Sequence, residues 1–386
     1  YDKGSLTSGT PKTITPAYGA SKMIINVTNE DITSSIIINI TKKADSSEMA
    51  VEDYRPQLHF SPEINFMNDP NGLVYDPSNQ TWHLFFQYSP QLPGMGSQTW
   101  GHAVSDDLVS WVELPVAIPM DKFGAIFSGS AVVDEDNTSG FFTDNKPGES
   151  KLIAVYTNAG GYGMVQNMAY SKDHGVTWTK YDPGTGDAMI PDTFHDGFRD
   201  PKVFKIAGDE KDLWYMVVAG GRGRIFTSPN LKDWTLQQEL YYANGNELHS
   251  ECPDLYPLAV LDKDGNATGK TKWVYNAASE FYVIGDLVKE EDGIYRFHAE
   301  TNQVSSQVGG ASSGYAGQSY YNDPVSGRRM TVHWMQDYSA PGTIPTKRWN
   351  GVQSFALETT LKKLDNGSYL VVQNPVDEIK ALRAGT

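Results

Sequence analysis

One pattern recurs five times along this chain of 386 residues, and it limits the fold more than any other feature. Each copy opens on a polar motif, continues into a short strand and a turn, and ends in an aromatic-rich strand. The first runs from Asp69-Pro70-Asn71-Gly72 through Leu73-Val74-Tyr75 and Pro77-Ser78-Asn79 to Trp82-His83-Leu84-Phe85-Phe86-Gln87-Tyr88. Later copies open at Phe127-Ser128-Gly129-Ser130, Arg199-Asp200-Pro201, Glu251-Cys252-Pro253 and Tyr315-Ala316-Gly317-Gln318, so that successive openings lie 51 to 72 residues apart. Three units carry a second signal, a Ser-led turn followed by Trp: Ser105 to Trp111, Ser171 to Trp178 and Ser228 to Trp234. This period with variable loops suits a four-stranded propeller blade. Five copies predict an all-β chain, a five-bladed β-propeller with four-stranded blades. A β-sandwich of similar hairpins is the competing architecture, and the recurrence of one grammar favours the propeller.

Composition agrees and narrows the function. Aromatics make up 12% of the chain, and 36 Gly and 21 Pro are spread along it, as short strands and tight turns require. No apolar run approaches the roughly 20 residues that cross a bilayer. No leader pattern stands at the start, so a signal peptide is expected to be absent from this sequence. The formal net charge of −16 excludes a nucleic-acid partner, which needs Lys and Arg to displace counterions, but suits a neutral substrate. A single cysteine, Cys252, rules out an intrachain disulfide and a zinc-cysteine cluster. Asp262-Lys263-Asp264-Gly265-Asn266 lacks the downstream glutamate of a calcium loop and reads as a hairpin turn. Neither a metal nor an organic cofactor is expected. Asn-x-Ser/Thr sequons at Asn26, Asn39, Asn79, Asn137, Asn266 and Asn366 point to an extracellular or cell-surface setting.

In a propeller the innermost strands line the axis with equivalent ends on one face. Asp69, Ser128, Asp200, Glu251 and the Tyr315 segment hold equivalent places, so they are expected to converge on an axial pocket. Carboxylates more than 180 residues apart in sequence would then face each other. Crowded carboxylates raise the proton affinity of at least one of them. Glycoside hydrolysis uses such a set, one carboxylate ionised and one protonated. Taken singly, each motif has a plain structural reading, since Asp-Pro-Asn-Gly is also an ordinary turn.

Phe66-Met67-Asn68-Asp69-Pro70-Asn71-Gly72, Phe127-Ser128-Gly129-Ser130, Phe198-Arg199-Asp200-Pro201 and Glu251-Cys252-Pro253-Asp254, in this order, resemble glycoside hydrolase family 32, the invertases, levanases, inulinases and related fructosyltransferases. The likeness covers about residues 54 to 383. It implies fructose release from sucrose or β-fructans by a retaining double displacement. Asp69 matches the nucleophile, Glu251 the general acid/base, and Asp200 the residue that binds fructose hydroxyls and steadies the transition state. It further implies sugar contacts from Asn68, Gln87, Trp100, Phe127, Ser128, Arg199 and Trp334, whereas Trp82, Trp111, Trp178, Trp214, Trp234 and Trp273 are assigned to packing. The expected protonation follows: hydrogen bonds keep Asp69 ionised, and neighbouring carboxylates with Cys252, a poor donor, push Glu251 up.

The chain departs from the family in two places. The family's C-terminal β-sandwich has no counterpart before Arg383-Ala384-Gly385-Thr386, which leaves three expectations: the chain is a fragment, the sandwich is a separate chain, or this member does without it. Residues 1–50 are expected to form a β-rich extension, with runs at Lys22 to Val27 and Ser35 to Ile40, whose Ile36-Ile37-Ile38 should pack on something; residues 51–386 form the propeller. Other readings are a fructosyltransferase on the same scaffold, a silent fructan-binding propeller, and a sialidase suggested by Ser171-Lys172-Asp173-His174-Gly175-Val176-Thr177-Trp178. The sialidase reading is disfavoured, because its anionic sugar needs an arginine cluster. Linkage preference and oligomeric state are left open.

Overall fold

The computed structural model describes residues 19–29, 32–42, 52–90, 96–306, 314–335, 345–346 and 348–383. Contacts divide the chain into two units, Tyr1–Asp53 and Tyr54–Thr386. In the first, β1 (Gly19–Asn29) and β2 (Ile32–Lys42) pair antiparallel, with Gly19 opposite Lys42 and Asn29 opposite Ile32. The packing expected of Ile36-Ile37-Ile38 lies outside the described residues.

The second unit is all-β apart from a short 3-10 helix at Asp377–Leu382. Its strands fall into antiparallel groups in chain order. The first is β3 (Asn65–Asp76), β4 (Thr81–Ser89), β5 (Thr99–Ser105) and β6 (Val112–Ile118). The second is β7 (Ala125–Val133), β8 (Leu152–Gly160), β9 (Gly163–Ser171) and β10 (Thr179–Lys180), and the third β11 (Arg199–Lys205), β12 (Trp214–Ala219), β13 (Arg224–Ser228) and β14 (Thr235–Glu239). The fourth is β15 (Pro253–Leu261), β16 (Ala267–Ala277), β17 (Phe281–Lys289) and β18 (Tyr295–Ala299), with β19 (Val304–Ser305) against β17. The last is β20 (Tyr315–Ser319) and β21 (Met330–Trp334), then, past β22 (Trp349–Asn350), β23 (Leu357–Lys363) and β24 (Tyr369–Pro375). One expectation is corrected here. The fourth and last groups are not separate sheets, because β15 pairs in parallel with β23 at Val260 and Leu261, where the register of β15 slips.

The first strand of each group touches the next in a closed cycle, β3 to β7, β11, β15, β20 and back to β3. Packing follows the same cycle. The large apolar clusters lie between consecutive groups: Phe85, Trp100 and Tyr156 join the first to the second, Ile153, Phe198 and Met216 the second to the third, Tyr215 and Tyr275 the third to the fourth, Tyr282 and Leu361 the fourth to the last. Leu84 and Phe86 with Tyr320 and Met330 return from the last to the first. Strands buried on both faces explain the near-continuous apolar runs at 152–156 and 213–218.

The Ser-led turns share one construction. Asp107, Asp173 and Asn230 each accept hydrogen bonds from backbone N–H groups across the turn, from Ser110 at 2.6 Å, Thr177 at 2.9 Å and Asp233 at 2.9 Å. The next residue takes the left-handed conformation in all three, Leu108 at φ 63°, His174 at φ 58° and Leu231 at φ 63°. The indoles of Trp178 and Trp234 donate back to Gly175 and Leu231. Ser171-to-Trp178 is therefore a hairpin turn held by its own side chains.

The cycle closes on β3. Trp349 and Asn350 pair in parallel with Asn65 and Phe66, Tyr321 exchanges backbone hydrogen bonds with Leu73 and Tyr75, and Gln353 donates to the Asn68 carbonyl. Gly351 makes this approach feasible: its φ is +98°, and a Cβ there would lie 1.9 Å from the Met67 carbonyl oxygen. Gly367 has φ +83° but open space around it. Gly351→Ala is therefore expected to cost about 3 kcal/mol or more, and Gly367→Ala only about 1 kcal/mol, in urea unfolding. Equal losses would mean that conformation, not the close approach to β3, sets the cost.

Candidate active site

The site is built by irregularities at the starts of the cyclic strands. In four of them the register slips near the strand's start: Met67 to Pro70, Ile126 to Gly129, Arg199 to Lys202 and Tyr315 to Gln318. A β-bulge re-aims the side chain it carries, and these bulges carry Asn68 and Asp69, Ser128, Asp200, and Ala316. Three non-glycine residues there hold left-handed backbone, Asp200 at φ 61°, Cys252 at φ 39° and Ala316 at φ 52°. Such strain persists only where the surroundings over-determine it. Here Cys252, Ala278 and Ala316 pack as a small buried cluster.

Asp69, Asp200 and Glu251 meet. Ser128 Oγ donates to Asp69 Oδ2 at 2.7 Å and Asn68 Nδ2 to Asp69 Oδ1 at 3.1 Å. The Cys252 backbone N–H donates to Asp200 Oδ2 at 3.0 Å, and its thiol lies 3.5 Å from Asp69 Oδ2 and 3.6 Å from Asp200 Oδ2. Arg199 spans the other pair, with Nε 3.6 Å from Asp200 Oδ2 and Nη2 bonded to Glu251 Oε1. Tyr315 donates its hydroxyl to Glu251 Oε2. Behind Asp200 its backbone N–H donates to Thr157 Oγ1 at 2.9 Å, Thr157 to Gln166 at 2.7 Å, and Gln166 to the Phe198 carbonyl at 2.9 Å.

Two expectations about protonation are reversed. Burial raises the pKa of Asp69; the bonds from Ser128, Asn68 and Cys252 oppose it without cancelling it, and the Glu251 charge adds to the rise. For Glu251 burial also acts upward, but Tyr315 and Arg199 outweigh it and hold the carboxyl below its ordinary range. The reason is exposure and company. The Glu251 side chain is 46% exposed and paired with a guanidinium, whereas Asp69 has only neutral donors. Asp200 is pushed up to about 6 by burial, which the Arg199 charge and the Cys252 N–H only partly offset. Cys252 does not act on Glu251 through a hydrogen bond; it bonds the two aspartates, and its thiol is held far up by burial and by all three carboxylates.

The sugar contacts expected of the neighbours divide. Phe127 is half-buried beside Ser128. Asn68 is buried, and its Oδ1 is unpartnered and shielded from solvent. Gln87 is buried one shell back, where its backbone N–H and side-chain amide donate to Asn71 at 3.0 Å and Asn71 donates to Ser128 Oγ at 3.2 Å in its satisfied orientation. Trp100 is wholly buried between Phe85 and Tyr156, its indole N–H on the Phe127 carbonyl at 2.9 Å, so it buttresses Phe127 and offers a sugar no surface. Trp334 is 5% exposed, edge-on to Phe66 at 6.2 Å, and likewise packs. Tyr315 and Thr157 were given no chemistry by the sequence. The Tyr315 segment opens the fifth unit, and Thr157 ends an apolar run, a polar residue where the pattern asks for none.

An aspartate whose pKa is higher folded than unfolded binds more protons in the native state between the two values, so stability falls as pH rises through that window. From about 6 against 3.8, Asp200 costs about 3 kcal/mol above pH 6 and nothing below pH 4. Asp200→Asn should therefore raise the melting temperature at pH 7, with the gain vanishing as pH falls to 4. A gain independent of pH would refute this charge-based cost.

Comparison with known proteins agrees with the family resemblance of the motifs. The model of the glycosyl hydrolases family 32 N-terminal domain matches residues 59–375. The chain is 40% identical over 369 residues to a levanase of Bacillus subtilis (strain 168), covering 90% of this chain and 51% of that protein. It is 34% identical over 367 residues to an extracellular exo-inulinase of Aspergillus niger, covering 83% and 65%. A solved β-fructofuranosidase of Schwanniomyces occidentalis, complexed with fructosyl-erythritol, superposes with a TM-score of 0.70 at 33% identity, covering 83% of this chain and 63% of that one. The chain thus spans about half the length of the levanase. With a family match over most of its length and the carboxylate motifs in place, the chain belongs to glycosyl hydrolases family 32.

Proposed function

We propose that the second unit is a five-bladed propeller that hydrolyses the fructosidic bond of sucrose or β-fructans outside the cell, by a retaining double displacement. The closed cycle of first strands supports the five blades. The observation that carries the chemistry is the convergence of Asp69, Asp200 and Glu251 around Cys252 and Arg199.

Asp69 attacks the anomeric carbon, with Ser128 and Asn68 holding its carboxylate oriented. Glu251 protonates the leaving oxygen and then takes a proton from the attacking water, which frees fructose from Asp69. In the free protein the pKa of Glu251 is lowered and that of Asp69 raised. A sugar seated between them shields Glu251 from water and from Arg199, which raises its proton affinity and moves the proton to where the leaving group needs it. Asp200 accepts fructose hydroxyls. Transfer of fructose to a sugar acceptor would use the same residues; a release of glucose and fructose in equal amounts from sucrose distinguishes hydrolysis from transfer.

Glu251→Gln is expected to lower fructose release by about 10²–10⁴-fold. A fructosyl donor whose leaving group needs no proton should regain the first step in this variant but not in Asp69→Asn. Equal loss on both donors would overturn the assignment of roles. Because the Tyr315 hydroxyl helps hold Glu251 low, Tyr315→Phe should shift the pH optimum of kcat/KM upward, as the carboxylate pair titrates at higher pH. An unmoved or lowered optimum would show that Tyr315 does not tune the pair.

A further inference from the structure

A cavity of about 220 Å³ lies in the second group, apart from the carboxylates. Its floor is Tyr156 and Asn167, and its walls are the segment Asp121, Lys122 and Phe123 on one side and the loop from Tyr181 to Asp187 on the other. The segment leads directly into β7, whose Ser128 bonds Asp69, and the β8–β9 turn that carries Tyr162 returns to this same end, with Ala125 opposite Ala159. The cavity therefore opens near the end of the strands that carries the site. The outer wall follows β10, three strand spacings outboard of β7, roughly 14 Å.

The cavity is a built structure. Asp121 takes a hydrogen bond from Asn158 at 3.0 Å and pairs with Lys180 at 2.7 Å; Asn167 donates to Asn158 at 2.8 Å and accepts from the Met189 N–H at 2.9 Å. This chain of polar contacts fixes both walls to the floor, and Lys122 ties them again by donating to the Gly186 carbonyl at 3.1 Å. What remains open to a ligand is aromatic and hydroxylic. Beside the lining, and not itself part of it, Tyr162 is 61% exposed and stands edge-on to Phe123 of the wall at 5.2 Å. Tyr181 is half-buried, and neither tyrosine hydroxyl nor the exposed Asp187 carboxylate has a hydrogen-bond partner among the described residues. Aromatic surface beside unpartnered hydroxyl and carboxylate groups suits a neutral polyol. The mixed charges of Lys122, Lys180, Asp121, Asp182 and Asp187 suit neither a polyanion nor an apolar ligand.

We propose that this cavity is a second carbohydrate-binding site, which holds a stretch of a fructan polymer remote from the bond being cut. The inference rests on the fructosidase reading above and adds a site to it. Binding a polymer at two places makes the second contact intramolecular and raises the concentration of chain ends at the carboxylates. Sucrose cannot reach both sites and gains nothing. The experiment measures kcat and KM on sucrose and on long levan and inulin for the parent chain and for Tyr162→Ala, Tyr181→Ala and Asp187→Ala. Tyr162 and Asp187 are exposed, so folding is not at stake in their variants. The expected result is a rise of about 5–10-fold in KM for at least one polymer, with its kcat and both sucrose constants unchanged. Polymer KM values that stay at the parent level in all three variants, or a matching rise on sucrose, would overturn the site while leaving the fructosidase reading intact. A parent chain that cleaves none of these sugars would overturn the reading, and the second site with it.

Discussion

The arrangement depends on holding three carboxylates together, two of them largely buried, where the Glu251 charge raises the proton affinity of both aspartates. The fold resists this with a few neutral donors and one guanidinium. Ser128, Asn68 and the Cys252 N–H serve the aspartates, while Arg199 lies between Asp200 and Glu251. Beneath them, the buried Lys202 pairs with Asp254 at 3.2 Å and bonds the Ser319 carbonyl, and Asp254 accepts the Ser319 N–H at 2.6 Å. One ammonium thus fastens β11, β15 and β20. Removal of one partner of a buried pair leaves an uncompensated charge, at a cost of about 3–5 kcal/mol, so this contact and the carboxylates above it stand or fall together.

The same crowding divides the labour. The carboxylate best supplied with positive charge and water, Glu251, has its pKa lowered, while those of the aspartates are raised. Burial and charge thus act on the carboxylates in opposite directions. Proton placement then depends on what occupies the pocket, because an occupant changes the solvation of Glu251 far more than that of groups already buried. Strained backbone at Asp200, Cys252 and Ala316 belongs to the same economy: stability is given up where geometry must be held.

Much of the fold was legible in the sequence. The strand groups begin at the repeated motifs, and the Ser-led turns repeat down to the left-handed residue that follows Asp107, Asp173 and Asn230. The joining of the fourth and last groups through Val260 and Leu361 was not legible, since a parallel contact between distant strands leaves no periodic trace. In the site, the carboxylates that the motifs singled out do meet. Trp100 and Trp334 do not present their rings to the pocket, because a tryptophan's neighbours, not its position in a motif, decide whether it is covered. Tyr315 passed unassigned for the converse reason: an ordinary tyrosine in an inner strand gains its meaning only from the carboxylate 64 residues away.

The sequence by itself determined the period, the order of the motifs, which residues carry carboxylates, and a charge suited to a neutral substrate. Those are properties of residue identity and spacing, which are local. The tertiary structure decided which carboxylate pKa values rise and which falls, which aromatics are buried, and where cavities lie. Each of those depends on desolvation and on neighbours 50 to 180 residues distant along the chain, and the free energies involved exist only once the cycle of strands has closed.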